Sequence, residues 1–178
     1  MKDRTYYLKS IIFSAIAILL YSGCKKENKE STAVKKTKKK TVDISIEKQA
    51  VLEVMKTYKD AIQNLTTEGT FDLFTPTATV FEQGKIEGTY KDYIDGHLGP
   101  ELAHFKSFTF SDYEIDATVN LPYAYTTENY LYTIVLKADE EKETEERTIE
   151  SKGVATSILE KIDGTWKIIH SHSSFKKL

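Results

Sequence analysis

Residues 44–178 predict an α+β fold: a cone-shaped, curved antiparallel sheet with three N-terminal helices packed on its concave face. Two observations carry this reading. Apolar residues recur at three- and four-residue spacing between Ile46 and Thr66, and from Phe105 onward the period drops to two. The later half is also cut into long strands by two turn signals, Asn120-Leu121-Pro122 and Asp163-Gly164. Its length suits one domain with one core.

In order, Ile46–Thr66 is an amphipathic helix with Val51, Val54, Met55, Tyr58, Ala61, Ile62 and Leu65 on one face and Lys48, Glu53, Lys56 and Lys59 on the other. A second, short helix covers Glu68–Phe74 and stops at Pro76. Thr79–Glu82 is a strand, turned by Gln83-Gly84. Thr89 opens the third helix, an N-cap with Asp92 three residues on, and Gly99-Pro100 breaks or restarts it. Strands then run over 106–116, 123–137, 147–162 and 165–175, with an acidic loop over 138–146 and a tight hairpin at Asp163-Gly164.

Ahead of this domain, Lys2, Arg4 and Lys9 precede an 11-residue apolar run, Ile11–Tyr21, that ends in Ser22-Gly23-Cys24. Basic, apolar and small-residue regions in that order form a secretory signal peptide. The run is shorter than the roughly 20 residues that span a bilayer. Leu20, Ser22, Gly23 and Cys24 resemble the lipobox of bacterial lipoproteins, with Tyr21 as the one departure. That resemblance implies cleavage after residue 23 and acylation of Cys24 with fatty acids such as palmitate. The membrane is then a partner through Cys24, on the extracytoplasmic side. Lys25 rather than Asp after the cysteine favours the outer membrane over the inner. Cys24 is the sole cysteine, so no disulfide is expected.

Residues 24–43 read as a lipidated cysteine and a disordered tether carrying eight lysines and two glutamates. Such a coil spans about 25 Å. Residues 41–178 instead carry 14 basic and 24 acidic residues. A domain this acidic excludes phosphate-backbone recognition, and no nucleic-acid partner is expected.

Several segments carry a family resemblance: the helix through Tyr58 and Ala61, the strand Thr77-Ala78-Thr79-Val80-Phe81, Gly84 to Gly88 leading into the third helix, and Asp163-Gly164-Thr165-Trp166-Lys167-Ile168. Together they resemble the nuclear transport factor 2-like superfamily, in its SnoaL-like branch. The resemblance implies a cone with a pocket and a possible homodimer. It implies no single activity, because this fold hosts isomerases, cyclases, dehydratases and plain binders.

The candidate site residues are Tyr58, Glu82, His97, His170 and His172. Tyr58 and Glu82 resemble the tyrosine and carboxylate of ketosteroid isomerases in this superfamily, which donate to an oxyanion and move a proton. A carboxylate in an apolar cone has the raised pKa that a general base needs. The second acid of those enzymes has no counterpart at Thr156-Ser157. His170 and His172 alternate on the last strand and are expected on one face about 7 Å apart, together with Trp166 and Ile168, and approached by His97. They are read as polar lining. The three imidazoles with Glu82 also form a donor set that suits zinc, although no metal and no cofactor is assigned.

The leading expectation is a membrane-anchored module whose cone binds a small polar or amphipathic ligand. The alternatives are an isomerase, dehydratase or hydrolase using Glu82 or a histidine as base, and a structural envelope protein.

Overall fold

The computed structural model describes residues 42–139 and 144–178. Expectations for the signal peptide, Cys24 and the tether lie outside the described residues. Among those residues, no helix is long and apolar enough to cross a membrane.

Helix α1 (Ile44–Gln63) starts at Asp43, whose carboxylate accepts a hydrogen bond from the Ser45 backbone N–H at 2.9 Å. Val51, Met55 and Ile62 are its buried stripe. Near its start, Glu47 accepts hydrogen bonds from Lys161 Nζ at 2.5 Å and from the Trp166 indole at 2.9 Å. That cluster fastens the helix to the last hairpin of the sheet. At the other end, Gln63 Oε1 accepts from the Phe110 backbone N–H at 3.1 Å. The helix is therefore held to the sheet at both ends.

The expected second helix is a single 3₁₀ turn, Thr70–Leu73, and Pro76 is not its stop. Strand β1 already runs from Phe74 to Glu82. Pro76 falls where pairing of β1 with the last strand skips between Phe74 and Thr79. Its missing N–H costs least there. Gln83 and Gly84, both at positive φ (49° and 78°), turn the chain into β2 (Lys85–Thr89), a strand the sequence reading did not anticipate.

Thr89 then caps the next helix in a full capping box with Asp92. The helical path runs through α2 (Tyr90–Tyr93), a π turn (Ile94–Leu98) and α3 (Gly99–His104). Gly99 is needed at this junction, because a Cβ there would lie 2.5 Å from the Ile94 carbonyl oxygen. Gly99-Pro100 thus restarts the helix rather than ending it.

Strands β3 (Phe105–Asn120), β4 (Tyr123–Leu136), β5 (Arg147–Ile162) and β6 (Thr165–Lys177) complete a six-stranded sheet in the order β2-β1-β6-β5-β4-β3. The fold is the expected α+β cone. One pairing, β1 with β6, is parallel, and the others are antiparallel. Val51, Phe74, Tyr90, Leu159, Trp166 and Ile168 belong to one buried core between the helices and the sheet. Two bulges re-aim side chains further along. One lies in β3 between Ser111 and Glu114, and the other lies opposite the Ile158/Leu159 step of β5.

Candidate functional site

Between α1, the π turn and the concave face of the sheet lies a cavity of about 1120 Å³. Met55, Ile62, Phe105, Phe108, Phe110 and Ile134 supply apolar wall, and Tyr58, Tyr93, Tyr113, Tyr130 and Tyr132 add phenols. Two half-buried carboxyl groups, Glu82 and Glu128, face this space.

Glu82 sits at the end of β1, where the Gln83-Gly84 turn holds it against the π turn. Its side chain is 16% exposed. His97 Nδ1 lies 3.7 Å from Glu82 Oε2 and 3.1 Å from Glu87 Oε1, while Nε2 lies 3.3 Å from Glu101 Oε1. Glu82 Oε2, Glu87 Oε1 and His97 Nδ1 are buried, and none of the three takes part in a hydrogen bond among the described residues. Burial pushes the Glu82 carboxyl above its ordinary value; Tyr93 and His97 pull it back, and Glu101 and Glu87 push it further up. Burial drives the hydroxyls of Tyr58 and Tyr93 well above 10, and nearby acids add to the effect. Both phenols are therefore neutral donors at physiological pH. Tyr58, Glu82 and His97 all line the cavity.

Glu128 is the residue that sequence reasoning missed. On β4 the inner positions read Ala124, Thr126, Glu128, Tyr130 and Tyr132, and Ala124, Thr126 and Tyr132 are buried. A charge in the middle of a buried alternation was the available signal. Burial raises the Glu128 carboxyl, partly offset by the Tyr113 hydroxyl, which donates to Oε2 at 2.5 Å. Tyr113 reaches in because the β3 bulge shifts the inward set from Phe108 and Phe110 to Tyr113 and Ile115. Glu128 adjoins Thr127, the partner of Thr156, so an acid stands one strand away from the stretch that lacks one.

His170 and His172 do not line the cavity, which corrects the expectation. Leu159 pairs with Ile168 but Ile158 pairs with His170, leaving Ile169 as an extra residue. The extra residue reverses the alternation. Trp166 and Ile168 point into the core, yet beyond the bulge Ser171 and Ser173 face the cavity. His170 and His172 lie on the outer face, where Nδ1 of His170 is 2.8 Å from Thr79 Oγ1 and both rings meet the edge of Phe81. The three imidazoles are therefore not brought together with Glu82. Among the described residues, no group of three or more His, Cys, Asp or Glu is placed to hold a metal.

A SnoaL-like domain model matches residues 51–176. No curated protein matches the chain. Among solved structures, a ketosteroid isomerase candidate from Shewanella frigidimarina NCIMB 400 is 25% identical, with a TM-score of 0.60 over 70% of this chain and 94% of that one. A nuclear transport factor 2-like superfamily protein from Salmonella enterica serovar Typhimurium LT2 is 20% identical, with a TM-score of 0.62 over 74% and 92%. A dehydratase candidate of the same family from Streptomyces avermitilis is 14% identical, with a TM-score of 0.59 over 73% and 96%.

Proposed function

The chain belongs to the SnoaL-like domain family, and on that premise we propose that its cone binds a small, mostly apolar ligand and moves a proton on it, as an isomerase or dehydratase does. The observation that carries this is Glu82: its carboxyl lines a large cavity, and one of its oxygens is shut away from water without a hydrogen bond. Buried polar atoms are rarely left unpaired without a role. A carboxyl raised by desolvation is tuned for general-base work.

In the mechanism, Glu82 takes a proton from a carbon next to a carbonyl, and the C–H electron pair moves onto the carbonyl oxygen. Tyr58, kept neutral by burial, donates a hydrogen bond to that oxyanion. Returning the proton to a different carbon completes an isomerisation. Expelling a β-hydroxyl, which takes the proton back from Glu82 and leaves as water, completes a dehydration. His97 adjoins Glu82 and holds positive charge near it when protonated. The sequence of the Shewanella neighbour, at 25% identity, supports the isomerase class, and the Streptomyces neighbour supports only the fold.

The purified protein in D₂O, given a panel of β,γ-unsaturated and β-hydroxy ketones, should incorporate deuterium beside the carbonyl. Glu82→Gln should lower that rate by about 10²–10⁴-fold. A panel that exchanges no faster than buffer contradicts the proton-transfer reading.

Binding without turnover is the second reading. The cavity volume, about 1120 Å³, favours it, because that is roomy against the 300–1,000 Å³ of most small-molecule sites. In either case we propose that the domain is tethered to the outer membrane through acylated Cys24. Labelled palmitate should mark the wild type and not Cys24→Ala, and equal labelling of both contradicts the anchor.

A further inference from the structure

We propose that the Glu128 end of the cavity is a subsite for a protonated amine, so that the preferred ligand is an arylalkylamine rather than the matching acid. This rests on the reading that the cavity takes a small ligand, and it specifies the chemical class of one end of that ligand.

The argument starts from what Glu128 lacks. Among the described residues its one hydrogen bond comes from the Tyr113 hydroxyl, and no basic side chain offsets its burial. Lys59, the basic residue of α1 that reaches this corner, is held by Asp60 at 2.8 Å. A buried carboxylate without a cation is costly, and a ligand that carries the missing charge recovers that cost.

The surroundings suit a cation as well as the carboxylate does. Phe110, Tyr113 and Tyr130 form one aromatic corner, with Phe110 and Tyr130 edge to face at 5.1 Å and Tyr113 and Tyr130 stacked at 5.9 Å. The Lys59 ammonium already lies 5.9 Å from the Phe110 ring centre and 5.4 Å from that of Tyr113. These ring faces therefore accept an ammonium group in the protein itself. A carboxylate beside such faces gives an amine both a charge-assisted hydrogen bond and a cation–π contact.

The other charges of the lining point the same way. Of the basic residues in the lining, Lys59 is held by Asp60, and Lys137, Arg147 and Lys177 are exposed. An anionic group that reached Glu128 would meet a like charge, with the nearby Lys59 already held by Asp60.

The test titrates phenethylamine, 3-phenylpropionate and 3-phenylpropanol into the purified protein by calorimetry at neutral pH. The amine should bind at least tenfold more tightly than either of the others. Glu128→Gln should erase that preference, while Glu82→Gln should keep it. Equal affinities in the wild type, a preference for the alcohol or acid, or an amine preference that survives Glu128→Gln overturns the proposal. The wild-type contrast needs no variant, so a poorly folded Glu128→Gln protein leaves the proposal open to refutation. If the amine preference is absent while the ketone panel still exchanges deuterium, the subsite fails and the role of Glu82 stands. If ligand binding and exchange both fail, the cavity reading falls with it.

Discussion

The two faces of the β5–β6 hairpin are built from one stretch of chain and are opposite in character. Toward the cavity stand Ser157, Ser171 and Ser173, with Gly153 lying under the ring of Tyr130. On the other face Ile158 is 39% exposed and Val154 49%, with His170 and His172 beside them. Only Ile169 separates the alternation that would have put both imidazoles inside from the one that puts serines there. The cone thereby keeps small hydroxyls opposite Glu82 and leaves room for a ligand. The histidines pack against Phe81 and Thr79, where they take no part in the cavity.

Substitutions on the two faces should therefore differ sharply. The largest expected effect is Gly153→Ala. Its Cβ would sit 2.2 Å from the Tyr130 ring, so the ring must swing into the cavity. Overpacking of this kind costs about 1–3 kcal/mol. Adding Tyr130→Leu should recover part of the loss in urea unfolding. If Gly153→Ala is neutral, the ring is not fixed by the glycine beneath it.

Next comes Glu128. Its pKa is raised in the folded protein, so its favourable contribution is fully present below the unfolded value near 4.5. That contribution is lost as pH rises through the higher folded pKa. Glu128→Gln removes the loss, so the variant should be more stable than the wild type at pH 8 and lose that advantage at pH 4. Each unit of upward shift corresponds to about 1.4 kcal/mol. Unfolding curves that differ equally at both pH values would show that Glu128 is not held out of water.

The smallest effect belongs to the outer face. His170→Ala and His172→Ala should change stability by no more than about 0.5 kcal/mol and leave probe binding unchanged. Loss of binding in either variant would return the imidazoles to the cavity and break the contrast between the faces.

These faces also mark how far the sequence could be read. Helix α1 was legible because its apolar stripe is regular, and the Thr89–Asp92 cap because its chemistry is local. Tyr58, Glu82 and His97 were found because they sit on such regular or turn-bounded elements. The inward turn of Tyr113 and the outward turn of His170 and His172 were not legible. Each depends on one extra residue in a strand, which pairing with a neighbour reveals and composition does not. Strand β2 was missed because five residues with one exposed isoleucine carry little alternation. Glu128 was within reach of the alternation on β4, where its position among buried neighbours mattered more than its charge.

The most direct test of the account is the protonation of Glu82 itself. Carboxyl ¹³C NMR of the purified protein, assigned with Glu82→Gln, should show this group titrating above the ordinary 4.5, because burial outweighs Tyr93 and His97. Adding 4-nitrophenol, which is small enough for the cavity that Glu82 lines, should displace that titration. A Glu82 that titrates at or below 4.5 and ignores the phenol would contradict a buried base facing a ligand cavity.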